Sequence, residues 1–296
     1  MTKETKRGSI LSHALVAAMA ALLAAVCVAA EPQRDRANLS EPVLRVASKT
    51  PAPKHPLDPA LDLARTGLKR IQATVDDYSC TLVKREQIDG KLLDYEYMFV
   101  KVRNRKVVDG KIVTPFSVYM YFLKPTDMKG REVLYVEGRN EDKMVAHEGG
   151  TAGKFLPTVW IKPNGIIAMR NQRYPITDVG LENLVAKLIE RGEIDIAAGR
   201  REHEVTFHED AKVNGRTCTL LQIKNAQPNE NLDFHLAQVF VDKELNVPIR
   251  YVAYDFPAKP GDPLPVIEEY TYLNLKLNVG LTDKDFDHAN AEYKFQ

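Results

Sequence analysis

The chain has 296 residues, of which 44% are hydrophobic, and its 41 Lys and Arg against 40 Asp and Glu give a formal net charge of +1. This composition is typical of a globular protein, and the balanced charge predicts no bulk attraction to nucleic acid or to acidic lipid. We therefore expect no nucleic-acid partner.

The first thirty residues have the pattern of a secretory signal peptide. The basic start contains Lys3, Lys6 and Arg7. An apolar stretch over residues 14–30 follows and ends in small residues that suit signal peptidase, which predicts cleavage near Ala30 and export to the periplasm or cell envelope. Two alternatives stay open: lipidation at Cys27, which the branched Val26 before it disfavours, and an uncleaved N-terminal membrane anchor, for which the apolar stretch is barely long enough.

Residues 31–59 are predicted to be an extended, poorly ordered linker, because prolines fall there among charged and small residues. The folded part is predicted to be a single domain of residues 60–296. It begins with a helix from Pro59 to about Asp76, in which apolar residues recur at three- and four-residue spacing. One face of this helix is therefore expected to be buried.

Several short strands follow, separated by the hairpin turn signals Asp89-Gly90 and Asp109-Gly110. The predicted strands are Tyr78–Glu86, Tyr95–Arg103, Phe116–Leu123, Glu132–Glu137 and Met144–His147. Their connections are too short for crossover helices, which predicts an antiparallel meander. Because runs within residues 93–148 are apolar at both alternating positions, both faces of this sheet must be covered or hold a ligand.

Prolines and glycines in the middle of the chain exclude a long regular element there. A second amphipathic helix is predicted from Asp178, as its N-cap, to Arg191, with Gly192 ending it. The later strands are predicted at Glu204–His208, Thr217–Lys224, Leu236–Asp242, Pro248–Phe256 and Val266–Asn278. Together these elements predict an α+β domain in which one large antiparallel sheet embraces helices.

Three segments carry a family resemblance: GREVLYVEGRNEDKMVAHEGG, FVDKELNVPIRYVAYDF and YTYLNLKLNVGLTDKDFD. They resemble the bacterial family known as domain of unknown function 1571, over about residues 62–295. That name implies no established activity.

The order of elements is also similar to the lipoprotein-carrier superfamily of LolA, LolB and the N-terminal part of RseB. The chain ends in its N-x-G-L-x-x-x-x-F signature, at Asn278, Gly280, Leu281 and Phe286. The resemblance implies a LolA-like incomplete β-barrel, with helices covering the concave face of a curved sheet and an apolar cavity between them. Known members use that cavity for lipid chains or for sensing lipoproteins.

Large apolar side chains of the sheet, the middle segment and the second helix are the candidates for lining such a cavity. They are Tyr97, Phe99, Phe116, Met120, Phe122, Tyr135, Trp160, Leu184 and Leu188. Each could also be an ordinary core residue, since large apolar residues are usually buried. A concave apolar surface with few polar anchors would suit a lipid, a lipoprotein acyl chain or another apolar ligand.

Catalytic and metal-binding patterns are weak, so we predict no enzyme activity, no catalytic residue, no metal and no cofactor. His203 and His208 lie five positions apart on one strand, so they would face opposite sides and are expected to be exposed. His147 and Glu148 could form an acid/base pair but are interpreted as solvated residues at a strand end. A hydrolase is the least favoured alternative.

Two cysteines remain after removal of the leader, Cys80 and Cys218, and both fall in predicted strands. Export would place them in an oxidising compartment, so a disulfide between them is possible. It requires their Cα atoms to lie within about 7 Å, and two buried free thiols are the alternative.

Two non-enzymatic hypotheses remain. The leading one is a monomeric envelope protein that binds an apolar ligand in a cavity between sheet and helices. The alternative is an interaction or sensor module whose sheet edge engages another envelope protein while its own side chains fill the core. An empty apolar cavity would favour the first hypothesis, and a filled sheet the second.

Overall fold

The computed structural model describes residues 55–153, 155–228 and 233–295. The predictions of a signal peptide, of a lipidated Cys27, of a membrane anchor and of most of the linker fall on residues 1–54, outside this part. Across the described ranges, no helix combines the length and the apolar character needed to cross a bilayer.

Two long helices accompany the sheet. Helix α1 spans Asp58–Thr74, α2 is a single turn at Gly150–Gly153, and α3 spans Leu181–Ala197. Helix α1 matches its predicted range, but α3 begins later and ends later than predicted. Asp178 does not cap α3, because Ile176–Asp178 forms a separate 3-10 turn and Gly180 takes the N-cap position.

Gly192 does not end α3, contrary to the sequence prediction, because it lies inside the helix where α3 meets α1. A Cβ atom added to Gly192 would lie 2.8 Å from Cδ2 of Leu61, whose side chain is buried. The missing side chain therefore allows the two helices to approach closely.

Substituting valine for Gly192 is expected to destabilise the protein by about 1–3 kcal/mol, because overpacking forces buried neighbours to shift. Gly67 of α1 provides a matched control, since nothing lies within 4 Å of the position that its Cβ would take. Gly67→Val should cause no loss, because valine has a better helix propensity than glycine. Urea denaturation measures both changes, and equal effects at the two positions would contradict the close approach.

The described residues also contain fourteen strands. They are β1 (Asp77–Ile88), β2 (Lys91–Leu92), β3 (Glu96–Arg103), β4 (Lys106–Val108), β5 (Lys111–Thr114), β6 (Ser117–Lys124), β7 (Glu132–Val136), β8 (Met144–His147), β9 (Val159–Ile161), β10 (His203–Val213), β11 (Arg216–Asn225), β12 (Leu236–Asp242), β13 (Pro248–Tyr254) and β14 (Val266–Leu277). Asp89-Gly90 and Asp109-Gly110 form the predicted turns, with positive φ at all four residues.

Twelve of these strands form one sheet in the order β10-β11-β12-β13-β14-β1-β3-β6-β7-β8-β9, with β2 paired to β1, and every pairing is antiparallel. Strands β4 and β5 form a separate hairpin. Since β9 and β10 are each paired on one side only, the sheet stays open. The predicted α+β class, with an incomplete barrel and helices covering one face, is confirmed.

The inner face of the sheet is the one that packs against the helices. Val118, Met120 and Phe122 of β6 belong to a buried cluster that also contains Leu61 of α1 and Leu181 of α3. These β6 residues alternate with tyrosines that point to the outer face, as expected for a strand.

The outer face of β6, β7 and β8 is covered by the C-terminal segment, residues 281–295. Phe286, Tyr293 and Phe295 form a second buried cluster with residues of these strands. The ring of Tyr293 stacks on Tyr119 of β6, with centroids 4.0 Å apart. Apolar residues at both alternating positions of β6 and β7 are explained by this arrangement, because each face has its own cover.

Residues of the N-x-G-L motif hold this C-terminal segment in place. The buried carboxylate of Asp77 accepts hydrogen bonds from the backbone N–H groups of Gly280 and Leu281, at 3.1 and 3.0 Å. The side chain of Asn278 accepts from the backbone N–H of Asp76 and donates to the carbonyl of Thr74. The motif therefore fastens the end of β14 to the beginning of β1.

Cys80 and Cys218 do not form the possible disulfide; both are buried free thiols. Cys80 lies on β1 and Cys218 on β11, and β12, β13 and β14 separate these strands in the sheet. Neighbouring strands are about 4.8 Å apart, so four spacings place the cysteines beyond disulfide reach.

Candidate functional site

A cavity of about 550 Å³ lies between the inner face of the sheet, helix α3 and the segment that follows α2. The apolar part of its sheet wall contains Leu82, Met98, Met120, Phe122, Val133, Met144 and Ala146. Helix α3 adds Leu184, Leu188 and Ile194, and strands β13 and β14 add Tyr251, Ala253 and Ile267. The volume lies within the range of about 300–1,000 Å³ that small-molecule sites occupy.

Four of the nine predicted cavity residues lie together in this cavity: Met120, Phe122, Leu184 and Leu188. Phe116 and Tyr135 instead line a neighbouring pocket of about 300 Å³, where their ring centroids are 6.4 Å apart.

The remaining three predicted residues do not line the cavity. Tyr97 and Phe99 point to the outer face of β3, because their buried neighbours Met98 and Val100 face inward. Trp160 is 45% exposed and points away from the cavity, with its ring against His288.

One wall of the cavity is formed by residues 155–174, which we call the cover segment. Leu156, Pro157, Val159 and Ile167 of this segment line the cavity. Strand β9 attaches the cover segment to the sheet edge by pairing with β8. The cavity is thus bounded partly by the rigid sheet and partly by an irregular segment.

A group of buried and half-buried polar side chains, which we call the polar clasp, joins the cover segment to the sheet. Its members are Lys84, Glu86, Gln172, Arg173, Glu268 and Tyr270. The Tyr270 hydroxyl donates to Glu86 Oε1 at 2.6 Å, and the backbone N–H of Arg173 donates to Glu86 Oε2 at 3.1 Å. Lys84 lies 3.3 Å from Glu86 Oε2 and also donates to the side chain of Gln172.

Glu268 is the buried acid through which β14 contacts the cover segment. Its Oε2 lies 3.1 Å from Nε of Arg173, and its Oε1 accepts a hydrogen bond from the hydroxyl of Tyr174 at 3.3 Å. Burial raises the pKa of Glu268, and the positive charge of Arg173 opposes this rise. Because the charges of the clasp are paired with one another, their burial is tolerated.

The raised pKa of Glu268 predicts a pH-dependent loss of stability. Since the folded protein binds this proton more tightly than the unfolded chain, the free energy of unfolding falls as the pH rises above the ordinary glutamate pKa of 4.5. Glu268→Gln removes this titration, so the variant should gain stability relative to the unmodified protein as the pH rises through this window. Urea denaturation over a pH series measures the difference, and a difference independent of pH would contradict the prediction.

A smaller cavity of about 190 Å³ lies on the other side of α3, against α1 and strands β11 to β13. It shares Leu188, Arg191 and Phe234 with the large cavity. Helix α3 therefore has apolar space on both sides.

The histidine predictions have mixed outcomes. His208 is exposed as expected, but His203 is buried, and its Nδ1 lies 2.6 Å from Oδ1 of Asn225. Glu148 does not pair with His147; it accepts a hydrogen bond from Arg131 at 2.9 Å. No group of three or more metal-capable side chains comes together within the described ranges.

Sequence patterns missed several cavity residues. Leu82, Val133 and Ala146 are not large aromatic residues, so size did not single them out, but each lies two positions along its strand from another inward-facing residue. The members of the polar clasp were missed because pairing between β1 and β14 is not visible in the sequence.

Three solved structures that are similar to this chain have sequences 11–15% identical to it. A lipoprotein, LppX, from Mycobacterium tuberculosis has a TM-score of 0.41, 13% identity, and covers 78% of this chain and 100% of its own. A putative outer membrane lipoprotein-sorting protein domain from Vibrio parahaemolyticus has a TM-score of 0.35, 15% identity, and covers 77% and 95%. A LolA superfamily protein from Nitrosomonas europaea has a TM-score of 0.29, 11% identity, and covers 76% and 97%. These likenesses are remote, and no functional conclusion follows from them.

No match was found among the curated proteins. The model of the family described as "Protein of unknown function (DUF1571)" matches residues 75–295, which include every strand of the sheet and helix α3. The chain therefore belongs to this family of proteins of unknown function.

Proposed function

We propose that this protein is a non-enzymatic, exported envelope protein that binds a lipid, a lipoprotein acyl chain or another apolar ligand between its sheet and its helices. The observation that carries the proposal is the cavity of about 550 Å³ with its predominantly apolar lining. Apolar walls favour an apolar occupant, because binding then removes apolar surface of both partners from water.

The chemistry of the cavity supports an acyl chain better than a polar metabolite. Most lining side chains of the sheet and of α3 are aliphatic or methionine, which adapt well to a flexible hydrocarbon. The polar clasp directs its hydrogen bonds to its own members and to neighbouring protein groups such as Tyr174, so it offers a ligand few free partners. We therefore assign the acyl chain to the apolar part, between Met120 and Leu188.

A filled core would favour the alternative function, an interaction or sensor module of the envelope. The empty volume beside α3 supports the ligand-binding proposal instead. Export, by cleavage near Ala30, and a monomeric state remain part of the proposal.

Titration with a fluorescent fatty acid tests this function. We expect saturable binding, with fluorescence rising as the probe leaves water, and displacement by unlabelled lipid. A linear, non-saturable response would contradict the proposal. An ester of the same probe serves as a check on enzyme activity: it should bind and be recovered intact, and its hydrolysis would revive the hydrolase alternative.

A further inference from the structure

The cover segment exposes large apolar side chains to solvent at the outer boundary of the cavity. Ile166 is 93% exposed, Ile167 is 73% exposed and Phe155 is 84% exposed. Single exposed apolar residues are ordinary, but these three residues within thirteen positions are each more exposed than the apolar residues of the β4–β5 hairpin, which are 47–56% exposed, and they mark an interaction surface. Ile166 and Ile167 lie in a turn between Lys162 and Arg170, both of which are exposed.

The charge of this region differs sharply from that of the whole chain. Between Gly149 and Thr177 the sequence contains four basic residues and no acidic one. The basic residues are Lys154, Lys162, Arg170 and Arg173. The net charge of +1 for the whole chain hides this local excess, to which Arg173 adds little because Glu268 pairs with it. Apolar side chains flanked by basic ones fit the interface of an anionic membrane, where apolar groups enter the acyl boundary and cations meet phosphates.

We propose that the cover segment docks this protein onto an anionic lipid surface. Ile166, Ile167 and Phe155 enter the outer part of the bilayer, while Lys162 and Arg170 contact the lipid phosphates. The charge complementarity selects an anionic bilayer over an apolar surface of a second copy, because two copies of this segment would repel each other.

The same segment connects the proposed membrane surface to the cavity. Ile167 is exposed on one side and lines the cavity on the other, and Leu156 next to Phe155 does the same. A bilayer-bound cover segment would therefore place the cavity wall against lipid chains. Docking itself requires only the exposed residues and does not depend on the cavity being able to hold a ligand.

Cosedimentation with phosphatidylcholine vesicles, with and without phosphatidylglycerol, tests this proposal. We expect the purified protein to bind the phosphatidylglycerol vesicles and not the neutral ones. Ile166→Ser combined with Ile167→Ser should weaken binding about tenfold or more, because apolar area no longer enters the bilayer. Lys162→Gln and Arg170→Gln should each weaken it about fivefold, since each cation near an anionic surface contributes about 1 kcal/mol.

The β4–β5 hairpin provides a matched control. Ile112 and Val113 are 47% and 56% exposed, and the hairpin joins the ends of β3 and β6 that lie opposite the polar clasp. Ile112→Ser combined with Val113→Ser should leave vesicle binding unchanged. Equal loss in both double variants, equal binding to neutral vesicles, or no binding to any vesicle would overturn the proposal.

Titration with the fluorescent fatty acid in the absence of vesicles tests ligand binding separately from membrane docking. Ile166→Ser alone, at a residue that does not line the cavity, should weaken vesicle binding but retain that fatty-acid binding, which also establishes that it is folded. Sedimentation also measures whether the substitutions convert a dimer into a monomer. If that conversion accounts for the loss of vesicle binding, a second copy of this chain covers the exposed residues, which would overturn the membrane proposal.

Discussion

Replacing Phe286 with alanine is expected to lower the free energy of unfolding by about 3–5 kcal/mol, which is the usual cost of removing a buried phenylalanine. Phe286 is 1% exposed and belongs to the cluster that covers the outer face of β6, β7 and β8. The guanidinium carbon of Arg103 lies 4.9 Å from its ring centroid. Removing the ring leaves a void against the sheet and deprives Arg103 of this contact. Urea denaturation measures the loss.

Two controls separate this effect from a general sensitivity of the C-terminal segment. Phe286→Leu should cost less than Phe286→Ala, because leucine fills part of the void. Val279→Ala, at a residue that is 42% exposed, should cost little. If Phe286→Ala were no more harmful than Val279→Ala, the outer cluster would not stabilise the sheet.

Replacing Ala146 with phenylalanine is expected to weaken fatty-acid binding by about tenfold or more, because the larger side chain occupies space that the ligand needs. Ala146 lies on the inner face of β8 and is paired with Val133 and Val159, which also line the cavity. The empty volume should accept the ring, so stability should change little. The fluorescent titration measures the affinity, and urea denaturation the stability.

The matched control is Ala258→Phe, at an exposed loop position. It adds the same side chain without entering the cavity, so fatty-acid binding should be unchanged. Unaltered binding in the Ala146→Phe variant, with the fold intact, would place the ligand elsewhere.

Local sequence patterns predicted the architecture well, because strand alternation and turn formation depend on residues that are close together in the sequence. Alternating apolar residues and Asp-Gly turns located the strands from Asp77 to His147, and the short connections required antiparallel pairing. The apolar character of both faces of β6 predicted that each face is covered or holds a ligand, and the structure has the helices and the cavity on one face and the C-terminal segment on the other. That the outer cover is the C-terminal segment could not be predicted, because contacts such as Tyr119 with Tyr293 join distant parts of the chain.

Which face of the sheet each side chain points to was harder to predict from the sequence than the positions of the strands. Tyr97 and Phe99 have the same size and character as true lining residues, and β3 is apolar at both alternating positions. Only the pairing with β1 and β6, together with the position of the helices, decides that Met98 faces inward. The prediction that Gly192 ends α3 was wrong for a similar reason, because the role of this glycine depends on its contact with α1 and not on its neighbours in the sequence.

Native mass spectrometry of protein purified gently from the envelope, combined with lipid extraction, tests the central claim most directly. If the cavity between β6 and α3 binds apolar molecules, the folded protein should carry a bound lipid or acyl-bearing molecule that organic solvent releases. Ala146→Phe protein purified in the same way should carry markedly less. Ligand-free protein after mild purification, together with no saturable binding of the fatty-acid probe, would contradict the account.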